Sequence, residues 1–280
     1  MRTFLFWLLA FVITAATAIY QRATGPTYPV SGKQEFYGSQ IEYKFKRSED
    51  VGTDCLVEIK TDDPEIAGKV FWRRFKYDTE WNVAELQRKD GSLQAELPSQ
   101  PAAGKLEYYV ELYGGDAKTD LPSDHTVVMR YKGPVPIWVL IPHVLFMFGA
   151  MLLSTRTGLE YFRKEPKLFK LTYWTIGFLA IGGFLLGPAV QWYAFDAWWT
   201  GFPFGMDLTD NKTLIAMIGW LFALYMMKKS PNPKKWVLVG ALVLLLVYMI
   251  PHSVLGSELD YSKIENQQNN EMISKQRGEV

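Results

Sequence analysis

Of the three histidines in the sequence, His143 lies where an ionisable side chain is least expected, inside the apolar run VPIWVLIPHVLFMFGAM that begins at Val135. Read as a helix starting there, the run places His143 eight residues in, or ~12 Å deep at the usual rise. An ionisable group at that depth of a membrane-length segment is a functional candidate by default. Pro142 precedes it and predicts a kink. Met147 and Met151 follow at i+4 and i+8, on the same helix face. Two readings stay open. One is a histidine hydrogen-bonded between packed helices, above ordinary methionines. The other is a cofactor position, with His143 and Met147 holding haem b or a metal ion, or facing a quinone headgroup. His252 follows Pro251 at the end of a later apolar run, and His125 sits in the polar stretch PSDHTVV. For both, the ordinary reading is a solvated side chain.

The loop WWTGFPFGMDLTDNKTL adds Asp207, Asp210, Asn211 and Lys212. Thr209 or Asp210 is placed to cap the helix that follows, where an acid suits the positive N-terminus. Lys212 is expected to snorkel to the surface. That leaves Asp207 and the dense GFPFG loop without a structural role. Glu258 and Asp260 come soon after His252. Loop charge, worked through below, brings His143, Asp207, Asp210, His252, Glu258 and Asp260 toward one side of a membrane. Such a cluster could bind a metal, move a proton or face a quinone. Axial haem ligation by His143 with His252 fits poorly. Counted up from the inner ends of their segments, the two differ in depth by ~10 Å, though tilt could narrow this.

Other chemistry is excluded or unsupported. The sequence contains no Walker loop, dinucleotide fingerprint, HExxH or GxSxG. A single cysteine, Cys55, rules out an internal disulfide framework and reads as a small core residue. The net charge of +1 gives no field for nucleic acid.

The elements that must position these residues separate by hydropathy. Residues 1–20 hold the apolar run Phe4 to Tyr20 behind Arg2. It reads either as an uncleaved anchor at the short end of spanning length or as a signal peptide, with Ala16-Thr17-Ala18 as cleavage site. Residues 21–33 have linker composition, with Gly25, Pro26, Pro29 and Gly32. Residues 34–133 are strand-like. The clearest strand is Lys105 to Tyr113, where Leu106, Tyr108, Val110 and Leu112 alternate with Glu107, Tyr109 and Glu111. Six more candidates are Glu35–Lys46, Asp54–Lys60, Lys69–Tyr77, Trp81–Arg88, Leu93–Leu97 and Thr126–Tyr131. With turns at Asp90-Gly91 and Gly114-Gly115-Asp116, they predict an antiparallel sandwich.

Residues 134–254 carry four long apolar segments: Val135–Leu153, Leu171–Trp192, Leu214–Met227 and Trp236–Ile250. The fold class is therefore an α+β membrane protein, a sandwich on four transmembrane helices, or five with the N-terminal segment. Arg156, Arg163, Lys164, Lys167 and Lys170 lie in one loop, and Lys228, Lys229, Lys234 and Lys235 in another. Loop Gln191–Lys212 has Lys212 alone. The positive-inside rule puts the basic loops in the cytoplasm of a cell (inner) membrane and the 191–212 loop, the sandwich and the tail outside. Gly183 and Gly187 form GxxxG, suited to packing within the bundle or to a helix–helix association with a partner. The tail, 255–280, is polar and reads as mostly disordered.

The stretch from Val70 to Gly115, with its Trp-bearing strand, Gly turn, short strand ending in Pro and tyrosine-rich strand, resembles the middle of immunoglobulin-like or fibronectin-III-like extracytoplasmic domains. The cysteine pair of antibody domains is absent. The resemblance implies binding or spacing rather than chemistry. The leading functional expectation is accordingly a non-enzymatic envelope protein whose sandwich binds another envelope protein or a glycan. The alternatives are a membrane redox or cofactor-binding subunit built on His143, and ion or solute translocation.

Overall fold

The computed structural model describes residues 2–254, 256 and 258–277. It divides into a helical unit, residues 1–28 and 134–257, and a β unit, residues 29–133 and 258–280.

The β unit is two sheets sharing one core. Its strands are β1 (Val30–Phe36), β2 (Ser39–Phe45), β3 (Ser48–Asp50), β4 (Cys55–Lys60), β5 (Ala67–Arg74), β6 (Asn82–Glu85), β7 (Gln87–Lys89), β8 (Ser92–Leu97), β9 (Lys105–Gly114), β10 (Ala117–Leu121) and β11 (Val127–Lys132). One sheet runs β1-β2-β4-β8-β7; the other runs β3-β11-β9-β5-β6, with β10 beside β9. All pairs are antiparallel except β3 with β11. The alternation in β9 works as expected: Leu106, Tyr108, Val110 and Leu112 are fully buried between the sheets, while Tyr109 stacks on Phe71 from the other face.

Two expected strands are each split. Tyr37 and Gly38 take positive φ, 54° and 77°, and turn the 35–46 segment into the β1–β2 hairpin. The 81–88 segment changes sheets at Leu86: β6 pairs with β5, β7 pairs with β8, and Leu86 is buried between. A two-residue alternation cannot signal such a switch, because the residue that turns inward keeps the same spacing.

In the helical unit α1 spans Arg2–Ala23, α2 Ile137–Gly158, α3 Leu168–Ala180, α4 Gly187–Phe195, α5 Leu208–Lys229 and α6 Pro233–Met249. A 3₁₀ turn, Leu159–Phe162, extends α2, and a π-helical stretch, Ile181–Leu186, joins α3 to α4 in one rod. Three helices are long and apolar enough to cross a membrane: Thr3–Ala23, Ile137–Phe162 and Leu168–Phe195. α5 is charged at both ends, and α6 has only 17 residues. Glycines set the spacing. A Cβ on Gly149 would lie 2.6 Å from Phe178, and one on Gly183 2.5 Å from Thr213 of α5. Gly183 thus closes a contact within this chain. Large apolar side chains face outward, among them Leu145, Leu185 and Leu246 at 65%, 68% and 66% exposure.

The tail departs from its composition. Helix α7, Tyr261–Arg277, belongs to the β unit. It is held by three side chains that average hydropathy does not reveal. Tyr261 is buried, and its hydroxyl accepts the Lys105 N–H at 3.1 Å. Glu258 meets Lys105 at 2.8 Å and Lys76 at 3.2 Å, and Glu265 meets Arg74 at 2.7 Å.

Candidate functional site

Of the residues singled out from the sequence, His143, Asp207, Asp210 and His252 belong to the helical unit, and Glu258 and Asp260 to the β unit. In the helical unit, His143 Nδ1 lies 2.9 Å from the Gly182 carbonyl oxygen. A carbonyl only accepts, so Nδ1 carries the proton and the lone pair of the neutral ring is on Nε2. The same oxygen accepts the Gly187 N–H, an i→i+5 bond of the π-helical stretch. His143 therefore sits where the rod loosens, a local geometry found often at functional positions. The Met147 carbonyl and sulfur face the Tyr248 hydroxyl at 3.3 and 3.8 Å, and the sulfur also lies against Gly182. Among the described residues no three of His, Cys, Asp and Glu are grouped to hold a metal ion.

At the start of α5 the cap falls to Asp207 rather than to Thr209 or Asp210. Asp207 is the cap, accepting the Thr209 N–H at 2.8 Å. Asp210 instead turns back to the preceding loop and accepts the N–H groups of Thr200 and Gly201 at 2.7 and 3.0 Å. Asn211 takes the Phe202 N–H at 2.7 Å. The GFPFG loop is thereby fixed, with Phe202 and Phe204 exposed at its tip. Lys212 does not snorkel. It is 5% exposed and donates to the Ile250 carbonyl at 2.9 Å. Ser253 N–H reaches Thr209 Oγ1 at 3.3 Å, so the segment carrying His252 lies beside the start of α5. Glu258 and Asp260 are engaged in the β unit, Glu258 with Lys105 and Lys76, and Asp260 with Ser262 and Lys263. His125 is exposed beside Asp124.

Arg156, counted from sequence among the loop charges, is inside the bundle. α2 continues to Gly158, and Arg156 is 2% exposed against Glu160, which is 0% exposed, at 2.6 Å. Phe6 and Trp7 of α1 lie over its guanidinium at 5.6 and 5.4 Å. Arg163 also reaches Glu160, at 3.1 Å.

A large recess in the β unit was not anticipated from the sequence. It has a volume of about 800 Å³ and is formed by the end of β5, the 75–81 turn and the start of β6. Trp72, Tyr77 and Trp81 provide its rings, and Arg74, Asp78 and Glu80 its charges. Trp81 is fixed by edge contact with Tyr109 at 5.0 Å and by the Arg73 guanidinium at 4.3 Å. Arg73 is held in turn by Glu107 at 2.8 Å. Arg74 grips Asp78 through two nitrogens, with contacts of 2.8–3.1 Å. Burial opposes ionisation of Asp78, but the Arg74 guanidinium outweighs it and holds the carboxyl below the usual range. Helix α7 holds three of the lining residues: Glu265 binds both Arg74 and the Tyr77 hydroxyl, and Tyr261 donates to Gln100 at 3.2 Å. The signal for this recess is the composition of FWRRFKYDTEW, which sets three kinds of ring among charges over the end of β5 and the turn that follows. No protein-family model and no curated protein matches the sequence.

Proposed function

We propose that this chain is a multi-pass cell-envelope protein whose β-sandwich binds a ligand or partner outside the cytoplasm. The observation that carries the reading is the aromatic and charged recess around Trp72, Tyr77 and Trp81, built on a rigid two-sheet frame. Binding residues grouped on loops over a stable scaffold are the usual arrangement for recognition. The order β2-β4-β8 against β6-β5-β9-β11 also supports an immunoglobulin-like or fibronectin-III-like sandwich. For the helical unit, the outward-facing Leu145, Leu185 and Leu246 suit lipid. α5, at 22 residues, would reach ~33 Å and α6, at 17, ~26 Å. Both are within spanning range if lysines at their ends reach the headgroups. Arg163, Lys164 and Lys167 between α2 and α3, Lys170 in the first turn of α3, and Lys228, Lys229, Lys234 and Lys235 around the α5–α6 turn support a cytoplasmic location for both turns. The test is a photo-crosslinking amino acid at position 81 in native membranes. Specific adducts, absent when the crosslinker is at Glu96 on the other sheet, support the reading. Absence of adducts at position 81 sinks it.

One observation favours a second reading, a membrane cofactor-binding subunit. The bond from His143 to Gly182 leaves the Nε2 lone pair of the ring for a ligand. An absorption band of the purified protein that disappears in His143→Ala would support it. Colourless, metal-free protein would remove it.

A further inference from the structure

The recess in the β unit has the chemistry of a saccharide site, and we propose that it takes a neutral or amino-sugar oligosaccharide. This rests on the reading of the sandwich as the binding part and names its ligand class. A pyranose ring is apolar on its C–H faces and carries hydroxyls around its rim. It therefore needs flat aromatic surfaces beside planar side chains that can pair with two neighbouring hydroxyls. Trp72, Tyr77 and Trp81 supply the surfaces, and Glu80, Asn82 and Asp78 stand among them. Tyrosine and tryptophan add polar edges to large rings. The volume, about 800 Å³, is at the upper end for ligand clefts and suits several rings rather than one. The rings are preorganised: Trp81 is wedged between Tyr109 and Arg73, and Tyr77 is tied to Glu265. Preorganisation matters for sugars, whose hydroxyls give up water for each bond they form.

Charge selects within the class. Arg74 is answered by Asp78 and Glu265, so Glu80 leaves the recess with an acidic balance. Acidic glycans are disfavoured, and uncharged or amino-sugar chains are accepted. An extended peptide is the competing occupant, because β6 ends its sheet and could pair with an added strand.

The experiment uses the full chain in nanodiscs, which avoids glycoside detergents. Cellotetraose, maltotetraose, mannotetraose and chitotetraose are titrated calorimetrically, with tetragalacturonate as the acidic control. Saturable binding of at least one neutral or amino-sugar tetrasaccharide, weakened tenfold or more by Trp81→Ala and retained in Trp81→Phe, is expected. Glu80→Gln should weaken the same ligand several-fold while leaving the circular dichroism spectrum unchanged, which separates lost contact from lost fold. No saturable binding of any of the four, or binding indifferent to both Trp81→Ala and Glu80→Gln, overturns the saccharide assignment. If tetragalacturonate binds best, the charge argument is overturned with it. Peptide adducts at position 81 together with silent sugars would overturn the ligand class while leaving the sandwich as the binding part. Silence in both experiments would remove both.

Discussion

At the level of single residues the least expected feature is the ion pair of Arg156 and Glu160, with exposures of 2% and 0%. A buried pair of this kind is weak evidence for stability, but removing one partner strands a charge. The Arg156 Nε has no hydrogen-bond partner among the described residues, so its compensation rests on Glu160 and on the rings of Phe6 and Trp7. Glu160→Ala is expected to destabilise the detergent-solubilised protein by about 3–5 kcal/mol. The double variant Arg156→Leu with Glu160→Leu should recover most of that loss. Thermal unfolding measures both, and a Glu160→Ala protein as stable as the wild type would contradict the burial. The residue types here were legible but not their tasks. A charge count assigns Arg156 to a loop, because nothing in a single side chain announces that the helix runs one turn further and meets Glu160 at i+4. Asp207 and Asp210 are a parallel case. Sequence offers Thr209 or Asp210 as the cap of α5 and no task for Asp207; the Thr200 and Gly201 amides engage Asp210 and leave the cap to Asp207.

Among the elements, the alternation of β9 and the apolar runs of α2 and the α3–α4 rod read correctly because burial and apolarity leave a trace in period and composition. Helix α7 leaves none. Its docking depends on one buried tyrosine and on charge partners more than 150 positions away, such as Lys105 with Glu258. That attachment makes a pH-dependent prediction. Burial works against ionisation of Glu258, but hydrogen bonds from Lys105 and Lys76 prevail and hold its pKa below the ordinary carboxylate range. A depressed carboxylate contributes stability that is fully present above the unfolded value of about 4.3 and is lost as pH falls through the lower folded value. Hydrogen exchange in the first turns of α7 should therefore be slow and unchanging from pH 7 down to about 5, once corrected for intrinsic rates. Below about pH 4 the protection should fall. In Glu258→Gln the neutral-pH protection should already be reduced and this carboxylate's share of the acid loss absent. Tyr261→Ala should weaken docking at every pH. Equal acid sensitivity in the wild type and Glu258→Gln would assign the attachment to another group.

For the whole molecule, the open quantity is how many helices cross the bilayer, because α1, α2 and the α3–α4 rod meet the length and hydropathy of a span while α5 and α6 are assigned by loop charge. The sole cysteine makes this measurable without a cysteine-free background. Cys55 is 0% exposed, and burial pushes its thiol up to about 12, so it stays protonated and shielded from maleimides near neutral pH. Wild-type protein is expected to remain unlabelled. Single cysteines then report side: Asp116→Cys in the β9–β10 turn, Lys164→Cys between α2 and α3, Met206→Cys between α4 and α5, and Asn232→Cys between α5 and α6, all at exposed positions. With five spans, an impermeant maleimide added to intact spheroplasts labels positions 116 and 206, and labels 164 and 232 only after permeabilisation. If α5 and α6 instead form a hairpin lying along the outer surface, position 232 labels together with 206 while 164 stays protected. If the orientation is reversed, 164 and 232 label first. The first pattern alone agrees with a sandwich presented outside the cytoplasm on a five-helix bundle. The hairpin pattern reduces the bundle to three spans but keeps the recess around Trp81 facing outward, and the reversed pattern would place that recess in the cytoplasm and withdraw an extracellular ligand from it.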